Sequence, residues 1–304
     1  MRTVVIASAN GRLGNQLFQI LGLVCNCSSK KYIIYLMGYD NVCADILKLP
    51  THVRLVQYNS FLNKAYSRLS RSIFFSIIVR LFFVLVLEDN KKASISKTYP
   101  LIRLPFSPLL FRDAYFQNPA FISDPKKLDQ LSINPQFIAN SSKNTLIYLN
   151  QLSSIYCFVH IRRGDYCFWP NKDHRAVLPM SFYIDCISAV CANHGCDTFL
   201  LSSDDLEYAH DLLYVLKNNS RFSSCNFYVL DSDSPSMAIG MMLIAPIKVI
   251  SSSFSWIASL LGVFYAPKSH VAVYAPLYWS GHRKKIWYPP GSFWDKATYI
   301  PVTQ

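Results

Sequence analysis

YCFVHIRRGDY, residues 156–166, passes from an unbroken apolar run straight into two arginines and an aspartate. The apolar half reads as a strand buried on both faces, the kind found in parallel sheets covered by helices. Arginine is almost never fully buried without a partner, so a pair of arginines ending a core strand implies an anion there. Consecutive strand residues face opposite sides of a sheet, so Arg162 and Arg163 are not expected to grip the same group. One meets the ligand and the other braces the loop, an Arg163–Asp165 pair being the plain structural use.

Downstream the pattern stays regular. A helix over 181–194 is closed by Gly195, then come strand TFLLSS (198–203), helix DDLEYAHDLLYVLK (204–217), strand NFYVL (226–230), helix SMAIGMMLIA (236–245), strand KVIS (248–251), helix SFSWIASLLG (253–262) and strand HVAVYA (270–275). Strands alternating with helices through short links predict an α/β domain with a parallel sheet. In such sheets ligands collect at the carboxyl ends of the strands, where HIRRGDY, LSSDD, VLDSD and VISSSFS all fall. Upstream, strand TVVIAS (3–8), turn ANGRLGN (9–15), helix QLFQILGLVC (16–25) and strand KYIIYLM (31–37) open a second domain. Residues 40–150 are irregular and rich in Pro, Asn and Ser. The boundary is expected near 150, giving domains 1–150 and 151–304.

With 304 residues, 51% apolar and 16% charged, the chain is globular and excludes a disordered protein. Its net charge of +12 favours an anionic partner without choosing among nucleic acid, a phosphorylated small molecule and an acidic membrane. Basic runs interleaved with aromatics are missing, which argues against nucleic acid. Nine cysteines without a C-x-x-C pair read as reduced core thiols. The first residues turn polar too soon for a signal peptide, so the expected location is cytoplasmic. The run SIFFSIIVRLFFVLVL (72–87), flanked by Arg68, Arg71, Lys91 and Lys92, is shorter than a spanning helix needs. It reads as a buried core helix or as an interfacial one resting on the inner face of an anionic membrane.

Each polar cluster has two uses. Gly14 and Asn15 lie in a glycine turn whose helix begins with N–H groups suited to a phosphate, or in an ordinary strand-to-helix turn. In SSDD, Ser203 or Asp204 can simply cap the next helix. Asp231 and Asp233 form a D-x-D pair that could hold a divalent metal on a sugar diphosphate. The hydroxyls of 251–253 open a helix and suit an anion equally. The histidine spacing disfavours a zinc hydrolase, and no G-x-S-x-G elbow is present.

Taken in order, GRLGNQLFQ (11–19), DAYFQNPAFI (113–122), HIRRGDY (160–166), LSSDDLEYA (201–209), SSSFSWIASLLG (251–262) and WYPPGSFW (287–294) resemble the motif set of the α-1,2-fucosyltransferases, glycosyltransferase family 11. That resemblance implies a GT-B type fold, two Rossmann-like domains facing a cleft, with the last segment able to pack back on the first. It implies inverting, metal-independent transfer from GDP-L-fucose to the 2-OH of a galactose-containing glycan; the basic charge separately admits a lipid-linked acceptor and peripheral membrane association. Arg162 would hold the β-phosphate with Arg163 in support, and His160 would sit near the guanine. Ser252, Ser253 and Phe254 would lie along the pyrophosphate, with Gly14 and Asn15 closing on it. Asp165 is the candidate base. Ser251 stands where the family has Asn and Ile257 where it has Trp, leaving Asp204 or Asp233 to read the guanine. The rival readings are a metal-dependent transferase using Asp231 and Asp233, and a basic non-enzymatic module for membrane or nucleic acid.

Overall fold

The β-branched run at the amino terminus forms β1 (Thr3–Ser8), and the glycine turn releases the chain into α1 (Leu13–Asn26). This computed structural model describes residues 2–27, 29–56, 77, 81–89, 91–99, 107–111, 114–122, 131–149, 155–171, 173–231, 234–265 and 270–303. The chain divides into two compact units, Met1–Asn134 and Pro135–Gln304.

The first unit continues with β2 (Tyr32–Met37), α2 (Val42–Ile46), β3 (Leu47–Lys48), β4 (Val53–Val56), β5 (Val84–Asp89), β6 (Ser94–Thr98), β7 (Leu109–Phe111) and β8 (Ser132–Ile133). Its main sheet runs β4-β2-β1-β7-β5-β6, parallel except for the edge strand β6. Val84–Leu87, the end of the apolar run read as one helix, belongs to strand β5. A short apolar stretch fits a buried strand as well as a helix, and sheet pairing decided it. Most of 72–83 lies outside the described residues. Among the described residues no helix is long and apolar enough to cross a membrane.

The second unit holds α3 (Pro135–Leu149), β9 (Cys157–Ile161), α4 (Met180–His194), β10 (Thr198–Ser203), α5 (Leu206–Lys217), β11 (Asn226–Val229), α6 (Pro235–Ile244), β12 (Ile247–Val249), α7 (Ser253–Tyr265), β13 (Ala272–Pro276) and β14 (Ala297–Ile300). The sheet is parallel in the order β11-β10-β9-β12-β13-β14. Counted from β9 this is the Rossmann sequence of strands, so the α/β, GT-B type expectation of two Rossmann-like domains holds. All five residues of β9 are buried, as the unbroken apolar run required. Gly195 ends α4 in the left-handed region at φ 60°. The boundary falls earlier than 150 because α3 buries Phe137, Ser141, Thr145 and Leu149, one helical face, within the second unit. Gly240 of α6 permits that approach, since a Cβ there would strike Ser141 Oγ. The last segment adds β14 to the edge of this sheet, and Ser181 Oγ donates to Thr303 O at 3.3 Å.

Lys248, central in β12, is 1% exposed. Its Nζ donates to Ala245 O at 2.6 Å and lies 3.4 Å from His270 Nδ1. Burial lowers its pKa from 10.5 to about 7. An unfolded lysine keeps its proton up to 10.5, so native stability is full above that pH and is lost as pH falls toward 7, by about 1.4 kcal/mol per unit. Lys248→Met, close in volume, is expected to raise the thermal midpoint near neutrality, with the gain shrinking as pH rises to about 10. A midpoint that falls at neutral pH would show that the bond to Ala245 outweighs the burial cost.

Candidate functional site

The strand order of the second unit reverses between β9 and β12, and the loops leaving those two strands converge at that point. From β9 come His160, Arg162, Arg163 and Asp165. From β12 come Ser251, Ser252, Ser253 and Phe254, opening α7. The neighbouring strand β10 adds Asp204, since Ser203 is in register with Ile161. The sheet thus brings together His160, Arg162, Arg163, Asp165, Asp204, Ser252, Ser253 and Phe254.

The arginines diverge, as the strand period requires. Arg162 Nη1 lies 2.7 Å from Asp204 Oδ2, and its Nη2 meets Asp165 Oδ1. The other Asp204 oxygen accepts the Arg163 backbone N–H at 2.8 Å. Arg163 turns away, its guanidinium 4.0 Å above the Tyr208 ring and its Nε 3.5 Å from Asp205 Oδ2. The brace is therefore Arg162–Asp165, and Arg163–Asp165 does not form. Asp205, rather than Ser203 or Asp204, caps α5, accepting the Tyr208 N–H at 3.1 Å. Gly164 sits at φ 21°, and a Cβ there would strike the Asp204 carboxylate. The guanidinium carries five N–H donors in a fixed fork, so two acids fix its plane and still leave donors for an anion.

His160 is 6% exposed. Ser251 Oγ donates its proton to His160 O at 2.7 Å, so at 3.0 Å from Nδ1 it can only accept. The imidazole is therefore the Nδ1–H tautomer with a lone pair on Nε2. Burial first, then the Arg162 cation, lower its pKa to about 3 and keep it neutral at physiological pH. Its ring lies 5.2 Å from that of Phe254. The turn into α7 is held by Ser255 Oγ, which accepts the N–H groups of Ser251 and Ser252, each at 3.0 Å, and donates to Ser252 O. Ser252 Oγ is buried without a hydrogen-bond partner among the described residues, beside a helix N-terminus that favours negative charge.

In the first unit, Gly14 and Asn15 open α1. Asn15 Oδ1 accepts Gln117 Nε2 at 2.8 Å. Glu88 fixes the segment carrying Gln117, its oxygens accepting the Tyr115 and Phe116 N–H groups at 2.7 and 2.5 Å. Phe116 packs where Gly22 has no side chain.

Sequence reading missed Asp205 and Tyr208 as the seat of Arg163, and Tyr166, whose ring lies 5.7 Å from Arg162. Tyr166 in turn stacks on Trp169 at 5.4 Å. The i to i+3 step from Asp205 to Tyr208 could have been found as a helix cap; Tyr166 and Trp169 carry no signal beyond proximity in sequence. Asp231 is exposed and Asp233 lies outside the described residues. Among the described residues no group of three or more His, Cys, Asp or Glu is placed to hold a metal ion.

The model of glycosyl transferase family 11 matches residues 7–266. No curated protein matches the chain. Among solved structures, POFUT1 in complex with GDP aligns with a TM-score of 0.54 at 13% identity, covering 90% of this chain and 98% of that one. POFUT1 in complex with GDP-fucose gives 0.53 at 12% identity, with coverage of 90% and 98%. A mutant of Arabidopsis thaliana FUT1 in complex with GDP gives 0.51 at 11% identity, with coverage of 86% and 69%. At these identities the likeness is one of fold.

Proposed function

Because the chain belongs to glycosyl transferase family 11, we propose that it transfers L-fucose from GDP-β-L-fucose, with inversion, to the 2-OH of a terminal galactose on a glycan. The reading is carried by the Arg162 guanidinium, braced by Asp204 at the switch point of a Rossmann-like sheet. A diphosphate leaving group gains charge as its bond to C1 breaks, and a fixed planar cation there stabilises that charge without a metal. The α7 N-terminus with Ser252, Ser253 and Phe254 takes the remaining phosphate oxygens, and Arg163 supports the loop. Neutral His160 offers Nε2 as an acceptor to the nucleoside. Asp204, engaged by both arginines, serves as their brace rather than as the reader of guanine. In the first unit the Gly14–Asn15 turn is an anion-binding turn of the same kind.

Arg162, Arg163, Asp165, Asp204 and Asp205 together carry two positive and three negative charges, so a phosphate can join only if one acid withdraws. Asp165 is the most exposed of the three, at 47% against 37% for Asp205 and 27% for Asp204. Once shifted from Arg162 by the donor, its carboxylate takes the acceptor's hydroxyl proton as the oxygen attacks C1 and GDP departs. The decisive assay is purified protein with GDP-fucose and a panel of β-galactosides differing in the next sugar, reading GDP release and product linkage. An α-1,2 product formed in EDTA is expected. GDP release no faster than that of Arg162→Ala overturns the proposal, and activity lost in EDTA but restored by manganese points to Asp231 and a metal.

A further inference from the structure

The segment Tyr278–Trp294 is a tight loop rather than a loose one. Gly281 N donates to Tyr278 O at 3.0 Å, Lys284 N to Gly281 O at 3.0 Å, and Ser280 N to Tyr288 O at 3.2 Å. A Cβ at Gly281 would strike Ile286 O. This loop holds large apolar side chains out in solvent: Ile286 and Phe293 are each 55% exposed and Tyr288 is 39% exposed. Phe293 is backed by Trp287 at 5.5 Å and stacks on Tyr299 at 5.5 Å, so its exposure is imposed by packing. Tyr288 meets Trp169 at 5.6 Å, and next to Trp169 in the chain stands Phe168, 67% exposed. Arg283, Lys284 and Lys285, a basic run beside aromatics that the sequence reading passed over, precede these residues, all exposed and none ion-paired with a described residue. Asp295, a nearby acid, is 3.9 Å from Lys296.

We infer that this loop is a docking surface for an anionic lipid bilayer. Cations alone would suit any polyanion, and apolar groups alone would suit another protein. Rigidly presented Ile, Tyr and Phe beside three exposed cations match the interfacial zone of a membrane, where acyl chains receive the former and headgroup phosphates the latter. The path Tyr288–Trp169–Tyr166 runs from this loop to the ring beside Arg162. Docking here holds the arginine site at the membrane surface, where a lipid-linked acceptor would present its glycan. The inference does not depend on the sugar transferred.

The test is co-sedimentation of the full chain with vesicles of phosphatidylcholine alone or with about 30% phosphatidylglycerol. Binding is expected only with the anionic lipid. Changing Arg283, Lys284 and Lys285 together to Ser should weaken it about a hundredfold. Ile286→Ser with Phe293→Ser should weaken it about tenfold at unchanged charge. The cation variant should keep the melting temperature, the Ile286/Phe293 variant should lose a few degrees with the Trp287 and Tyr299 contacts, and both should keep the activity on a soluble galactoside, which separates failure here from failure of the transferase reading. Wild-type protein that ignores the anionic vesicles overturns the inference. So does full binding by the Ile286/Phe293 variant, which would mark the loop as a site for soluble polyanions such as heparin.

Discussion

Arg162→Lys is expected to lower turnover of GDP-fucose by about 10²- to 10⁴-fold while leaving the fold intact. The guanidinium uses separate nitrogens for Asp204, at 2.7 Å, and Asp165, and keeps further donors in the same plane for an incoming diphosphate. An ammonium is a single point on a flexible stem and cannot span the two acids and a phosphate at once. Each charge-assisted hydrogen bond that is lost costs about 1.5–3 kcal/mol, and two are at stake in the transition state. Single-turnover GDP release measures the loss, and thermal melting checks that the protein is folded. Turnover near the wild-type value would remove Arg162 from the leaving-group site. The Arg163→Lys change is milder because that side chain rests on Tyr208 and faces Asp205.

Asp165→Asn is expected to reduce turnover by about 10²- to 10⁴-fold, with KM for GDP-fucose unchanged or lower. The direction of KM distinguishes a base from a mere brace. In the unliganded arrangement the Asp165 carboxylate occupies Arg162, so it competes with the phosphate, and neutralising it removes a competitor. A brace would behave differently: its loss would loosen Arg162 and raise KM. A variant that keeps wild-type turnover would place the base elsewhere.

The second unit was legible because its sequence carries two clean periods. Apolar runs of strand length alternate with helical spacing, and Gly195 ends α4 where expected. The first unit was less so. Its strands β5, β6 and β7 contain three to six residues each, and β6 joins antiparallel at an edge, so their identity lies in pairing partners distant in the chain. The site followed the same division. That one arginine would face a ligand and the other a brace came from the strand period. Which acid serves which arginine did not, because Asp204 and Asp205 are adjacent and only the turn after β10 decides that one caps α5 and the other reaches Arg162. Ser251 read as a departure from the family's Asn, yet its hydroxyl sets the tautomer of His160, a role visible only when β9 and β12 are side by side.

Gly164 leaves room for Asp204, and Asp204 holds both the Arg162 side chain and the Arg163 main chain. Residues 162, 164 and 204 are in that sense a single inherited character. Once any one is altered the others have little left to lose, so their mutational effects cannot add. A library that varies them one at a time would see only dead ends, and drift from this arrangement to another must pass through all three together.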